Sequence, residues 1–224
     1  VVCAVLLLWG FDPAAASDTK HSHEEHQHVE FTVRSVRNGN WSDKSTWQPA
    51  QVPVAGDRVL IARGTTVTYD VRSEAVVRLI QVVGTLSFAR DRDTELNVGL
   101  LTVQHSDACS EHGFACEFEG ADQGPETPDS QWPTLLVGTA EQPIPAQHTA
   151  RIRLHYLEGM NREDAPAIAC CSGRMELHGS PLSCSWTKLN ADVRAGDRRL
   201  TLAEAVTGWR VGDEVIVTGS EQQG

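Results

Sequence analysis

The chain has 224 residues, of which 40% are hydrophobic, 22% charged and 6% aromatic, a composition typical of a globular protein. A chain of about 200 residues supports one large domain or two small ones. The 30 acidic residues outnumber the 19 basic ones and give a formal net charge of −11. Because such a negative field repels a nucleic-acid duplex and no basic stripe offsets it, nucleic-acid binding is excluded as a first hypothesis.

The start of the chain is typical of a secretory signal. Residues 1–9 are almost entirely apolar, and three alanines at positions 14–16 follow where a signal would be cleaved. The sequence therefore predicts that residues 1–16 are an incomplete signal and that the protein is secreted or lies on the extracellular face of a membrane. An ordinary buried apolar segment is the alternative. The secretory route also predicts N-glycosylation of Asn40, which begins an Asn-Trp-Ser sequon.

Residues 17–30 form a polar segment without apolar periodicity, which predicts a disordered lead-in. Imidazole is a common metal ligand, so the four histidines crowded here predict weak zinc or copper binding. A solvated tail without a specific role is the alternative. The histidines are His21, His23, His26 and His28.

From residue 31 onward the pattern predicts strands almost throughout. Residues 66–71 and 150–157 alternate between apolar and polar side chains, as a half-buried strand does. Short apolar runs bounded by glycine or aspartate predict further strands at 59–62, 76–83, 85–88, 96–103, 134–138, 174–178, 198–202 and 213–217. Residues 200–206 are the best place for a single helical turn.

Several of these runs are apolar on both faces. That pattern predicts a sheet covered on both sides or the coils of a β-solenoid. Tight hairpin turns are scarce, since Asn38-Gly39 is the one dipeptide of the Asn-Gly or Asp-Gly type. We therefore expect a solenoid-like all-β body.

An acidic segment at 105–131 interrupts the strands with seven acidic residues and no Lys or Arg. Carboxylates are ligands that Ca²⁺ prefers, so one interpretation is a calcium-binding loop. The spaced aspartates of a calcium loop are missing, which favours a surface insertion stapled by a disulfide between Cys109 and Cys116. Further along, either Cys170 or Cys171 could pair with Cys184, and the sequence leaves that choice open.

Read in chain order, short blocks of sequence form one pattern. They are NWSDKSTW (40–47), VPVAGD (52–57), VLIARGTTVTYD (59–70), VVRLIQVVGTLSF (76–88), LLVGTAEQP (135–143), ARIRLH (150–155), RMELHG (174–179), SWTKL (185–189) and GWRVGDEVIV (208–217). The pattern resembles the G8 domain, a module of fibrocystins and of cell-migration-inducing and transmembrane hyaluronidases. The resemblance implies an extracellular all-β domain over 31–224 that starts a right-handed parallel β-helix, with a further β-helix domain following it in a larger protein.

Two functions fit this resemblance. The first is a non-catalytic binding or structural module, for which an extracellular carbohydrate such as a glycosaminoglycan is the expected ligand and no cofactor is certain. The basic face of Arg151, Arg153 and His155 would contact the sugar carboxylates. Solvated surface charge without a ligand is the alternative. The motif tryptophans would pack in the interior; they are Trp41, Trp47, Trp186 and Trp209.

The alternative is part of an enzyme that depolymerises hyaluronan-type polymers. Glycoside hydrolysis needs two carboxyl groups, and Asp57 and Asp70 are the best candidates, since both match acidic positions of the family pattern. Asp213 is a third. A structural interpretation competes for Asp57 and Asp213, because each follows a glycine where a turn could precede a strand.

Overall fold

The structure is a computed structural model that describes residues 29–105 and 132–219. The predicted signal, the four histidines of the lead-in and the pair Cys109 and Cys116 lie outside the described residues. So does nearly all of the acidic segment proposed as a calcium loop.

The described part of the chain consists of twelve strands, one short 3-10 helix (Lys44–Thr46) and connecting loops, which confirms the all-β prediction. The strands are β1 (Val33–Ser35), β2 (Gly39–Asn40), β3 (Trp47–Gln48), β4 (Arg58–Ile61), β5 (Thr66–Tyr69), β6 (Arg72–Val82), β7 (Thr85–Phe88), β8 (Thr94–Gln104), β9 (Thr134–Val137), β10 (Ala150–Leu154), β11 (Ala167–Cys171) and β12 (Arg174–Leu177). None of the described helices is long and apolar enough to cross a membrane.

The strands form two sheets, one of seven strands and one of five. The first has the order β10-β8-β6-β4-β1-β3, with β11 also paired to β8, and the second has the order β12-β9-β7-β5-β2. Apart from the β1–β3 pair, all these pairings are parallel. The register repeats along the chain, since Arg58 lies beside Leu79 and Leu79 beside Leu100, each 21 residues apart. From β4 to β9 consecutive strands therefore belong to alternate sheets, whereas β10 and β11 both join the first sheet.

In the long strands β6 and β8 the alternation of core-facing side chains shifts by one residue near the middle of the strand, at a point that we call the corner. In β8 the core-facing side chains are Leu96 and Val98 before the corner but Leu101 and Val103 after it, so the alternation shifts by one residue. Gly99 lies at this point, where an added Cβ would come within 2.6 Å of the Arg78 carbonyl oxygen of β6. Before the corner β8 pairs with β10, and after it β8 pairs with β11.

The core lies between the two sheets and a second cluster lies outside the first sheet. The inner cluster includes Ile80 and Leu101, whereas Leu79 and Leu100 point outward and are equally buried. They are covered by Met160 and Ala165 from the loop between β10 and β11, and by Val29. The first sheet is thus covered on both faces, as the doubly apolar runs predict, and Val29 is ordered although it falls within the predicted lead-in.

Two predicted strands do not form. Residues 213–217 have no strand partner, and residues 198–202 contribute only an isolated antiparallel bridge between Leu189 and Leu202. The single helical turn predicted at 200–206 is also absent from the described residues. A strand needs a paired neighbour to be stable, and side chains such as Ile216 are largely exposed here. The apolar pattern is present, but these residues pair with neither of the two sheets.

Candidate functional site

The predicted basic residues lie together on the outer face of β10, where they meet a carboxylate of β8. An Arg151 guanidinium nitrogen lies 3.1 Å from Glu95 Oε2, and Arg153 Nε lies 2.7 Å from Glu95 Oε1. The arginine side chains are 46% and 51% exposed and that of Glu95 only 19%. One shielded carboxylate therefore holds two guanidiniums that still face solvent.

Glu95 carries a stable negative charge. Partial burial raises the pKa of this carboxyl, but the hydrogen bonds and charges of Arg153 and Arg151 outweigh that effect and hold its pKa below the usual range. The charge in turn fixes the direction of both guanidiniums. A planar guanidinium with unused N–H donors binds carboxylates or sulfates in bidentate fashion, so this face has the chemistry of an anion-binding surface.

His155, the third predicted residue, contacts β8, the strand that carries Glu95. Its Nε2 lies 2.6 Å from Asn97 Oδ1, and Asn97 Nδ2 donates to the Ser73 carbonyl oxygen at 2.6 Å. The His155 backbone N–H also donates to the Val98 carbonyl oxygen. The imidazole is therefore positioned from β6 and β8 and lies beside the two arginines.

A second acid borders the face. The Asp93 carboxylate accepts a hydrogen bond from the Thr149 backbone N–H at 2.9 Å, and His148 Nδ1 and Arg72 lie 3.7 and 4.0 Å from it. Three arginines and two acids thus share this surface. We name it the β10 face and define it by Arg72, Asp93, Glu95, Asn97, His148, Arg151, Arg153 and His155. Its binding role stays a prediction.

Asp57 closes a turn at the start of β4. Its Oδ2 accepts the Val54 backbone N–H at 2.7 Å, and its own N–H donates to the Val54 carbonyl oxygen at 3.2 Å. Gly56 has a φ of +83°, as the third position of a type II turn requires. The other oxygen, Oδ1, accepts the Thr32 hydroxyl at 2.8 Å.

The same turn recurs twice further along the chain. In residues 194–197 and 210–213 the aspartate accepts the N–H of the first turn residue, at 2.8 and 2.7 Å, and returns its own N–H to that residue's carbonyl oxygen. The glycines before Asp197 and Asp213 have φ of +97° and +102°. These bonds confirm the turn interpretation for Asp57 and Asp213. The Gly-Asp dipeptide was the signal that could have identified the turn at Asp197 as well.

Asp70 follows β5 and belongs to another network. Its two oxygens accept the Ser42 backbone N–H at 3.0 Å and the Ser42 hydroxyl at 2.6 Å. The hydroxyl is the last group of the sequon that begins at Asn40, which is exposed on β2. Asp57 thus precedes a strand of the first sheet and Asp70 follows a strand of the second, each with its own partners, and their catalytic roles stay predictions.

Replacing Asp57 with alanine is expected to lower the free energy of unfolding by about 1–2 kcal/mol, because it leaves the Val54 N–H without its acceptor and removes the shorter of the two hydrogen bonds that the Thr32 hydroxyl donates. Asp213→Ala removes the same turn bond where no strand follows, so its expected cost is below about 0.5 kcal/mol. Chemical denaturation measures both. Equal losses for the two variants would contradict the structural role assigned to the first turn.

The cysteines do not pair as the sequence predicts. Cys171 is in a disulfide, whereas Cys170 and Cys184 are free, so the predicted bridge from Cys184 to either neighbour is wrong. The register explains the difference between the neighbours, because Cys171 lies beside Gln104 and Cys170 beside the core residue Val103. The two sulfurs therefore point to opposite faces of β11. Among the described residues, no group of three or more His, Cys, Asp or Glu could hold a metal ion.

The four motif tryptophans differ in how far they are buried. Trp41 and Trp47 are buried and pack edge to face with ring centroids 4.9 Å apart, which confirms their structural role. Trp186 is 73% exposed, so the prediction that it packs in the interior is wrong. It lies beyond the last strand, where no sheet covers it. Trp209 is half-buried and donates its indole N–H to the Cys184 carbonyl oxygen.

Comparison with known proteins gives matches over most of the chain. A sequence model of the G8 domain matches residues 46–190. Fibrocystin-L of Homo sapiens is 29% identical over 183 residues, which cover 80% of this chain and 4% of that protein. Fibrocystin of Mus musculus is 26% identical over 200 residues, covering 82% of this chain and 4% of that protein. The chain thus spans a small fraction of the length of these relatives, and no solved structure matches it.

Proposed function

The chain belongs to the G8 domain family, and from that membership we propose that it is a non-catalytic extracellular module of a larger protein. In this proposal the two sheets are the first coils of a right-handed parallel β-helix, and a further β-helix domain stacks on their last coil. Secretion or display on the outer face of a membrane brings the module to its site of action.

One observation carries this proposal: the core is open at the β10, β11 and β12 end. Three side chains on β10 and β12 that continue the buried columns of the preceding coil are partly exposed. Leu154 lies beside Val98, Met175 beside Leu135 and Leu177 beside Val137. The three preceding side chains are buried, whereas Leu154, Met175 and Leu177 are 40%, 42% and 54% exposed.

A further coil is the occupant that fits this end. It would pair in parallel with the outermost strands and continue the same apolar columns, which a partner of another fold could not do on both sheets. Repeat architectures expose such surfaces only where a neighbouring repeat or a cap is missing.

Cys170 supplies a direct test. Its thiol continues the column of Val103 and is exposed at the open end. We expect a maleimide to label Cys170 rapidly in this chain and at least about 10-fold more slowly in a longer protein that carries the following sequence, because a stacked coil would bury the sulfur. Cys170→Ala gives the background from the other thiols of the chain, Cys184 among them. Equal labelling rates in the short and long proteins would overturn the proposed stacking.

A second candidate function, binding of an anionic extracellular carbohydrate, is favoured by the β10 face. Arg151 and Arg153 are positioned yet solvent-exposed, so a sugar carboxylate or sulfate could reach them. We propose binding without cleavage, because Asp57 and Asp70 engage separate partners rather than one substrate position. Shortening of hyaluronan by the wild-type protein, abolished by Asp57→Asn or Asp70→Asn, would overturn that choice.

A further inference from the structure

We propose that Glu95 is an internal counter-ion that occupies the anion position of the β10 face and thereby limits the affinity of this face for polyanionic carbohydrate. The inference rests on the proposed binding role of the β10 face. Glu95 of β8 thereby has a specificity-determining role. It precedes Arg151, the first of its two arginine partners, by 56 positions in the sequence.

The sheet register places Glu95 at the centre of the basic side chains. Arg72 of β6 and Arg151 of β10 are its direct neighbours on the two adjacent strands. Arg153 reaches it diagonally from the next outward-facing position of β10 and donates through Nε at 2.7 Å. Both carboxylate oxygens are therefore engaged by guanidinium groups, as the oxygens of a bound sugar acid would be.

The electrostatics follow from these positions. Asp93 and Glu95 offset two of the three arginine charges on the face, so the surface is only weakly cationic. A ligand carboxylate must either displace Glu95 from Arg151 and Arg153 or share them with it at close range, and like charges at such distances repel. Polymers with many acid groups per unit length tolerate this competition better than polymers with few.

The test compares Glu95→Gln with wild type in binding to heparin and to hyaluronan at low ionic strength, with neutral dextran as the negative control. We expect Glu95→Gln to lower the Kd for both polyanions about 10-fold, with the larger gain for hyaluronan, which carries fewer acid groups. Asp91→Asn is the matched control, since it removes one negative charge from the loop just before β8, where Asp91 pairs with Arg92. It should change the Kd less than about twofold.

The outcomes separate this inference from the function on which it rests. Wild-type binding that Glu95→Gln does not strengthen, or an equal gain from Asp91→Asn, would overturn the counter-ion role and leave carbohydrate binding intact. No binding of either polyanion by wild type or by Glu95→Gln would overturn both. Loss of binding in Arg151→Gln/Arg153→Gln, together with the gain in Glu95→Gln, is the expected result. If Glu95→Gln lowers the Tm strongly, Glu95→Asp serves as the second variant. Aspartate keeps the negative charge but is one methylene shorter, so its carboxylate lies farther from the arginines. Glu95→Asp should therefore give a gain in affinity smaller than that expected for Glu95→Gln.

Discussion

Trp41→Ala is expected to lower the free energy of unfolding by about 3–5 kcal/mol, the range for removing a fully buried large aromatic side chain. Trp41 connects two parts of the inner core, because it contacts Trp47 on one side and Tyr69 on the other, with ring centroids 4.9 and 5.1 Å away. Tyr69 in turn contacts Phe88 of β7, with ring centroids 5.2 Å apart. The cavity left by alanine would therefore open at the centre of an aromatic stack that spans three strands.

The hydrogen bonds at this position sharpen the expectation. The Trp47 indole N–H donates to the Trp41 carbonyl oxygen at 2.9 Å, a bond that survives truncation of the Trp41 side chain. The loss therefore measures packing, to which each aromatic pair adds about 0.5–1.5 kcal/mol beyond area burial. Trp186→Ala is the matched control, because that side chain is largely exposed and its removal should cost less than about 0.5 kcal/mol. Urea denaturation followed by circular dichroism gives both values, and similar losses would contradict the placement of Trp41 in the core.

Strands with strong alternation could be predicted from the sequence. Residues 85–88 form β7 with the predicted bounds, because Leu86 and Phe88 alternate with Thr85 and Ser87 and so define one buried face. The strand β11 was not predicted. Its small residues carry a weak signal, and it becomes a strand because the second half of β8 offers it a parallel edge. Pairing, rather than propensity, decides such segments.

The candidate site likewise depends partly on a pattern within one strand, which the sequence shows, and partly on contacts between distant strands, which it does not. The spacing of Arg151 and Arg153 predicts that both side chains share one face of a strand, and the structure agrees. The carboxylate between them could not be predicted, because Glu95 comes from a different strand and a one-residue change of register would turn it to the opposite face. Alternation within a strand is visible in one sequence, whereas the register between strands is not.

Gly84→Ala is expected to lower the free energy of unfolding by about 3 kcal/mol, because the added methyl group has no space. Gly84 lies in the turn between β6 and β7, which stacks on the turn between β4 and β5. A Cβ at Gly84 would come within 2.3 Å of the Ala62 carbonyl oxygen and 2.4 Å of the Thr65 carbonyl oxygen. Both obstacles are backbone atoms, so no side-chain rotation can relieve the clash.

The turn cannot move away without breaking its backbone hydrogen bonds to the neighbouring segments. The Gly84 N–H donates to the Ile61 carbonyl oxygen at 2.9 Å, and the Gly84 carbonyl oxygen accepts the Thr134 N–H at 2.8 Å. Gly84 therefore connects the end of β4 with the start of β9, and a shift of its backbone weakens the hydrogen bonding on both sides. Gly179→Ala is the matched control, since nothing lies within 4 Å of its added Cβ, and its effect should stay within about 0.5 kcal/mol. If thermal and urea unfolding give the two variants equal stability, the turns do not stack as closely as the structure has them.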